Sequence, residues 1–304
     1  MAVKHYGTPY KGSKNSIAEW VVSHFPAADN VYDLFCGGCA ITHRLLLQGR
    51  YKNYYANDID PSGLELFINS IHGKYTLQKC RKWISREDFK RYKDTDPFIK
   101  YVWSFGNNGR DYIYGEEIEP YKKALHYAIF FNDYSLSKEL GFDLSAIDSI
   151  KTMREKYLLA KQIIKGTLGK KEFCQSLENL NRLQSLQSLQ SLHISSLSYD
   201  KVKIDRNSVI YCDIPYFETN AYGKKNTQTF DHDAFYKWAQ EQTETVIISE
   251  YYCPSDFVSI AEIEKRSLLC ASDNTQVKTE RLYIPSRQVG MYKALINRGY
   301  LIEV

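Results

Sequence analysis

Two acidic positions stand where a nucleotide-like cofactor would meet a parallel sheet. In Asp33-Leu34-Phe35-Cys36-Gly37-Gly38 a short apolar run breaks into a glycine turn. Beyond the carboxyl end of a strand, such a turn lets backbone approach a ligand. Asp58, in Asn57-Asp58-Ile59-Asp60-Pro61, follows the next apolar run, and a carboxylate there can accept hydrogen bonds from ribose hydroxyls. Each signal alone is weak, because Gly-Gly after a strand is common and an Asp in a turn usually caps a helix. Cys36 and Cys39 have the C-x-x-C spacing of zinc and redox sites. No second pair completes a tetrahedral set, so no metal is expected. Two further constellations are more distinctive: Asp213-Ile214-Pro215-Tyr216 after an apolar run, and Tyr10-Lys11-Gly12-Ser13-Lys14 near the N-terminus.

The elements that must position these residues read as follows. Val31 to Cys36 (VYDLFC) is rich in strand formers, and after the glycines Ala40 to Leu47 reads as a helix. Tyr54 to Ala56 is again strand-like and Leu64 to Ile71 again helical. Strand then helix, twice, predicts a parallel α/β sheet. Ser208 to Cys212 (SVIYC) and Thr245 to Ser249 (TVIIS) carry buried-strand signatures much later, so the sheet is interrupted and then resumed. The interruption carries the local basic charge. Lys79 to Lys93 holds seven Lys or Arg against Glu87 and Asp88, and Lys151 to Lys171 holds seven against Glu155. Such stripes either track phosphates or form a solvated face, and charge alone does not choose. From Leu177 to Leu192 leucine recurs every third position. Six leucines in steps of three would wrap a whole helix, which leaves an all-round buried helix, a short stack or a connector.

The order of the motifs resembles the Dam-like, D12-class adenine-N6 DNA methyltransferases. That family runs W/Y-x-G-x-K, D-x-F-x-G-G-G, an acidic turn, a target-recognition insert, then D-P-P-Y. Ser249-Glu250-Tyr251 and Thr279-Glu280-Arg281-Leu282-Tyr283 extend the resemblance. Two positions depart from it: Cys39 replaces the third glycine and Ile214 the first proline. Cys39 matters little if its φ is negative.

The resemblance implies a Rossmann-like, S-adenosylmethionine-dependent methyltransferase sheet built from residues 1–72 and 201–304. A mainly helical target-recognition insertion spans 73–200. It implies that Tyr10, Lys14, Asp33, Phe35, Gly37, Asp58 and Asp213 contact the cofactor. It implies a catalytic tetrapeptide of Asp213, Ile214, Pro215 and Tyr216. The adenine amine is a poor nucleophile, and two acceptors on its N6 hydrogens favour a pyramidal nitrogen aimed at the sulfonium methyl. By the resemblance those acceptors would be the Asp213 carboxylate and the Ile214 carbonyl, and a carbonyl needs no proline. Tyr216 stacks on a base turned out of the duplex, and Pro215 stiffens the turn. Asn107, Asn108 and Arg110, in the insert, either read base edges or form an ordinary Asn-Gly turn.

The 304 residues suffice for a real core, and 43% hydrophobic with 25% charged residues exclude a disordered chain. A net charge of +4 does not by itself prove a nucleic-acid partner. Seven cysteines without an apolar N-terminal signal or a run of about 18 apolar residues point to a reduced, cytoplasmic protein and no membrane. The expected partner is double-stranded DNA. A restriction-modification context with an endonuclease partner, or a phage or bacterial source, is left open. Three rival functions stand beside adenine methylation: N4 methylation of cytosine, methylation of RNA, and a DNA-binding relative that has lost catalysis.

Overall fold

The computed structural model of the chain describes residues 5–164, 172–183, 186, 191–216, 230–266 and 277–300. Among the described residues seven strands, β1 (Asn30–Asp33), β2 (Asn53–Asn57), β3 (Leu192–Ser195), β4 (Ser208–Cys212), β5 (Thr245–Glu250), β6 (Phe257–Arg266) and β7 (Val277–Pro285), form one sheet. Their spatial order is β3-β2-β1-β4-β5-β7-β6. The pairs among β1 to β5 are parallel, and β7 runs antiparallel between β5 and β6. Every residue of β1, β4 and β5 is buried, which is why these segments read as continuous apolar runs rather than alternations.

Among the described residues ten helices precede β3: α1 (Ala18–Ser23), α2 (Ala40–Gln48), α3 (Pro61–Ile71), α4 (Leu77–Arg81), α5 (Arg86–Tyr92), α6 (Pro97–Val102), α7 (Glu119–Phe131), α8 (Ser135–Glu139), α9 (Met153–Ile163) and α10 (Glu172–Leu183). Helix α11 (His232–Glu241) lies between β4 and β5, and α12 (Val289–Tyr300) follows β7. The chain divides into two compact units, one of Met1–Ser13 with Glu65–Gln187 and one of Lys14–Leu64 with Ser188–Val304. The sequence reading sets its boundaries at 72/73 and 200/201 instead. It passes over β3, which pairs in parallel with β2 and so joins the sheet before residue 201.

The unit without the sheet is helical and has its own core. Leu125, Ala128 and Ile129 of α7 pack with Leu144, Ile147, and Tyr157 and Ala160 of α9. Around the fully buried Trp103 stand Trp83, His126 and Phe173, with ring centroids 5.2, 5.8 and 4.6 Å away. Several of its helices start on side-chain caps: the Ser85 hydroxyl accepts from the Asp88 N–H, Asp96 from Phe98, and Thr152 from Glu155. Leu177, Leu180 and Leu183 are buried along α10. Two steps of three, from Leu177 to Leu183, sweep only about 120° of a helix, so α10 presents one leucine face. Most of the repeat beyond it, and residues 165–171 of the second basic stripe, lie outside the described residues.

In the other unit, Tyr32, Leu34, Ile210, Cys212, Ile214, Val246 and Ile248 bury one face of the sheet against Phe235, Tyr236 and Ala239 of α11. Among the described residues no three His, Cys, Asp or Glu side chains are grouped as metal ligands. No described helix is long and apolar enough to cross a membrane.

Candidate active site

The parallel register brings the acidic positions to one end of the sheet. Asp33 is opposite Ala56 of β2 on one side and Tyr211 of β4 on the other. The chain then leaves the strand into the glycine turn, where Gly37 has φ +47°. Asp58 closes that turn: one carboxylate oxygen accepts the Gly37 N–H at 2.8 Å and the other the Asp60 N–H at 2.9 Å. Asp33 is buried. Its Oδ2 accepts the Thr42 N–H at 3.1 Å and the Thr42 hydroxyl at 2.7 Å, tying it to the first turn of α2. Its Oδ1 is buried with no hydrogen-bond partner. Burial, helped by the charges of Asp213 and Asp58 and opposed by the Thr42 bonds, pushes the Asp33 carboxyl up to about 7. Phe35 is half-buried among aromatic rings, 5.6 Å from Tyr199 and 5.8 Å from both Phe230 and Phe235.

Cys39 does not have the negative φ that would make the lost glycine harmless. Its φ is +58° at the N-cap of α2, a left-handed conformation that glycine adopts without steric cost. The residue is held there by complete burial and by its neighbour: the Cys39 N–H donates to the Cys36 carbonyl at 2.6 Å, and the two sulfurs are 3.7 Å apart.

Past the end of β4, Asp213 and Tyr216 meet Lys14, whose own short 3-10 turn, Lys14–Ile17, precedes α1. The Lys14 Nζ is 3.0 Å from Asp213 Oδ1 and 3.1 Å from Glu280 Oε1, and it donates to the Tyr216 hydroxyl. The Tyr216 hydroxyl in turn donates to Glu280, and the Ser249 hydroxyl reaches the same Glu280 oxygen at 2.9 Å. Lys14 and Glu280 are 5% and 2% exposed and Asp213 is 20% exposed, so of these three charged groups the aspartate is the one that opens to solvent. Burial opposes the Lys14 charge, but the Asp213 and Glu280 carboxylates outweigh it and hold the ammonium above the ordinary lysine range. Burial likewise opposes the Glu280 charge, and Lys14, Tyr216 and Ser249 together hold its carboxyl below the usual range. Burial first, and then the two carboxylates, keep the Tyr216 phenol protonated. The Tyr216 ring lies 4.4 Å from that of Tyr251. The Tyr251 carbonyl is pinned by Arg281 Nη1 at 3.0 Å and the Tyr283 hydroxyl at 3.2 Å. The Pro215 carbonyl is 2.7 Å from His232 Nε2.

Ile214 continues the alternation of β4. Asp213 points to one face, and the 2%-exposed Ile214 side chain points to the other, into the apolar cluster with Ile210 and Cys212. Its side chain therefore serves the core and only its backbone remains at the strand end.

Tyr10 belongs to the helical unit, where its ring is 5.1 Å from Tyr101. In the same unit the Asn107 amide donates to the Tyr101 carbonyl at 2.8 Å and to the Ser176 hydroxyl at 3.2 Å. Asn108 donates to Asp111 and accepts the N–H groups of Arg110 and Asp111. These two amides hold the shape of a turn, whose exposed side chains include Phe105 and Arg110. Two participants carried no role in the sequence reading: Thr42, which caps Asp33, and Glu280, which gathers Lys14, Tyr216 and Ser249. A hydroxyl nine residues after an aspartate gives no signal of its own, and the reach of Glu280 depends on strand order.

A family model described as D12 class N6 adenine-specific DNA methyltransferase matches residues 10–137. The matched segment contains Tyr10, Lys14, the glycine turn, Asp58 and the Asn107–Arg110 turn, and it ends before Asp213 and Glu280. The resemblance read from the motifs is thus met over this part of the chain. The match suggests a DNA adenine methyltransferase. No curated protein matches the chain.

Proposed function

We propose that this protein transfers a methyl group from S-adenosylmethionine to the N6 amine of adenine in DNA. The observation that carries the reading is the ion pair of Asp213 with a buried Lys14, beside Tyr216, just past the end of the central strand β4. The strand order, with β7 antiparallel between β5 and β6, supports a Rossmann-like methyltransferase sheet around that site. The donor set suits a cationic sulfonium cofactor: Asp33, Asp58 and Asp213 offer carboxylates at adjacent strand ends, and one buried oxygen of Asp33 has no partner. Asp58 would accept ribose hydroxyls and Asp33 the cofactor's amino group, with Phe35 and Gly37 lining the turn. When bound, the donor supplies an electrophilic methyl on a positively charged sulfur.

The residues of the chain do the rest. Lys14 holds the Asp213 carboxylate in an ion pair at 3.0 Å, and in that position it would accept one N6 hydrogen bond while the Ile214 carbonyl would accept the other. Pyramidalised in this way, the nitrogen would face the donor's methyl in line, and the Asp213 carboxylate, which is partly open to solvent, would take up the N6 proton released as the N–C bond forms. Tyr216, fixed at its hydroxyl, offers its ring face to the base, which must leave the duplex stack to reach it. Because the Ile214 side chain faces the core, the exchange of proline for isoleucine leaves the acceptor in place and favours an active enzyme over a catalytically silent relative.

The test is incubation of the purified protein with donor and unmethylated plasmid DNA, followed by nucleoside analysis and single-molecule sequencing. The expected product is N6-methyladenine at a defined sequence. N4-methylcytosine, a preference for matched RNA, or donor and DNA binding without transfer would each replace this reading with one of its rivals.

A further inference from the structure

Glu280 lies on β7, two strands away from β4, and its position follows from register. Ser249 of β5 pairs with Leu282 of β7, and Glu280, two residues before Leu282, lies on the same face. The β4–β5 register ends at Cys212 opposite Ile248, so one step further puts Asp213 level with Ser249. The Glu280 side chain thus crosses β5 over a serine, a residue small enough to let it pass, and ends at the tip of β4. There a single oxygen, Oε1, receives three donors: Lys14 Nζ at 3.1 Å, the Ser249 hydroxyl at 2.9 Å and the Tyr216 hydroxyl.

We infer that Glu280 is a positioning residue for methyl transfer, fixing the Tyr216 ring through its hydroxyl and the Asp213 carboxylate through Lys14. The inference rests on the methyl-transfer reading. An ammonium has three N–H donors, and those of Lys14 face Asp213, Glu280 and Tyr216, so the cation is held at three points. The Tyr216 hydroxyl accepts from Lys14 and donates to Glu280, which leaves its hydrogen one direction and its ring one plane. Glu280 itself is buried, whereas Asp213 and the Tyr216 ring are both partly open. The arrangement is a support behind the two groups that would touch the base. A fixed acceptor and a fixed stacking face are what an in-line displacement requires, since small misplacements cost orders of magnitude in rate.

The test is a double-mutant cycle in single-turnover methylation with Glu280→Gln, Tyr216→Phe and the combined variant, beside donor affinity by calorimetry. Glutamine keeps an acceptor of the same size and removes the charge. We expect Glu280→Gln to slow transfer about 10- to 100-fold and Tyr216→Phe about 10-fold, with donor affinity unchanged within about two-fold. The combined variant should be no slower than the slower single one, because both changes break the same contact. Rate losses that multiply, or a donor affinity that falls together with the rate, would overturn the assignment. If Glu280→Gln does not fold, Tyr216→Phe decides: transfer at the wild-type rate rejects the inference. A wild-type protein that transfers no methyl group overturns the functional reading itself, an outcome separate from an active wild type with a dispensable Glu280.

Discussion

Ile214 occupies the position where the side chain matters least to the reaction and most to the fold. Its backbone sits beside Asp213, but its side chain is buried with Ile210, Cys212 and Val246. Ile214→Pro should therefore keep single-turnover methylation within about ten-fold, since proline retains the carbonyl. The same change should lower unfolding stability by about 1–3 kcal/mol through lost core volume. Asp213→Ala should show the reverse, with turnover down by orders of magnitude and a modest change in stability. Rapid-quench assays and urea unfolding on both variants check the pair. A dead Ile214→Pro with an unaltered core would mean that the side chain itself takes part. A second residue-scale consequence concerns Asp33, whose carboxyl burial pushes up to about 7. The native state then binds a proton more tightly than the unfolded chain, so stability is greatest below the ordinary aspartate pKa and falls as pH rises from about 4 to about 7. Without cofactor, wild type should lose about 1–3 kcal/mol more than Asp33→Asn between pH 5 and pH 8. Parallel unfolding curves for the two proteins across that range would show that Asp33 does not titrate there.

At the scale of elements, the parallel half of the sheet was legible because its strands are buried on both faces and spell themselves as apolar runs. Ser208–Cys212 was read with the bounds the structure gives, and Thr245–Glu250 ends one residue later than expected. Strand β3 was hidden because Leu192–Ser195 is short, half exposed at the sheet edge, and continuous with a low-complexity repeat. The clustering of Asp33, Asp58 and Asp213 followed from strand–turn logic, whereas Glu280 reaches them only because β7 inserts antiparallel beside β5, a pairing with no local sequence signature. The leucine repeat was ambiguous for a physical reason: a period of three wraps a long helix but stays on one side of a short one. Within α10 (Glu172–Leu183) the three leucines share a face. Leu180→Ala should cost about 2–4 kcal/mol of stability as a buried truncation. Asn181→Ala, on the exposed side, should stay within about 0.5 kcal/mol. Thermal or urea unfolding that ranks the two equally would contradict the one-sided burial of α10.

For the whole molecule, charge is where composition alone could not decide, since 40 basic against 36 acidic residues leave only +4. The structure separates basic side chains that neutralise the protein itself from those that face outward. In the Lys79 to Lys93 stripe, Lys79 pairs with Asp96 at 2.8 Å and Arg86 with Glu119 at 3.0 Å. Both are engaged within the helical unit and would have to give up a partner to meet a phosphate. Lys82, Lys90 and Arg91 are exposed. If the stripe tracks a phosphate backbone, each of these three releases about 0.9 of a counterion on binding duplex DNA. Replacing Lys82, Lys90 and Arg91 together by alanine should then reduce the slope of log affinity against log salt by about 2–3, whereas Lys79→Ala should leave it nearly unchanged. Fluorescence anisotropy with a labelled duplex, titrated at several salt concentrations, gives both slopes from one set of measurements. Folding is the control, because exposed basic residues on α5 and its flanks contribute little to stability. An unchanged slope in the triple variant would reduce this stripe to a solvated helix face and move the phosphate contacts elsewhere. A slope that falls equally for Lys79→Ala would show that the Asp96 pair opens when DNA binds.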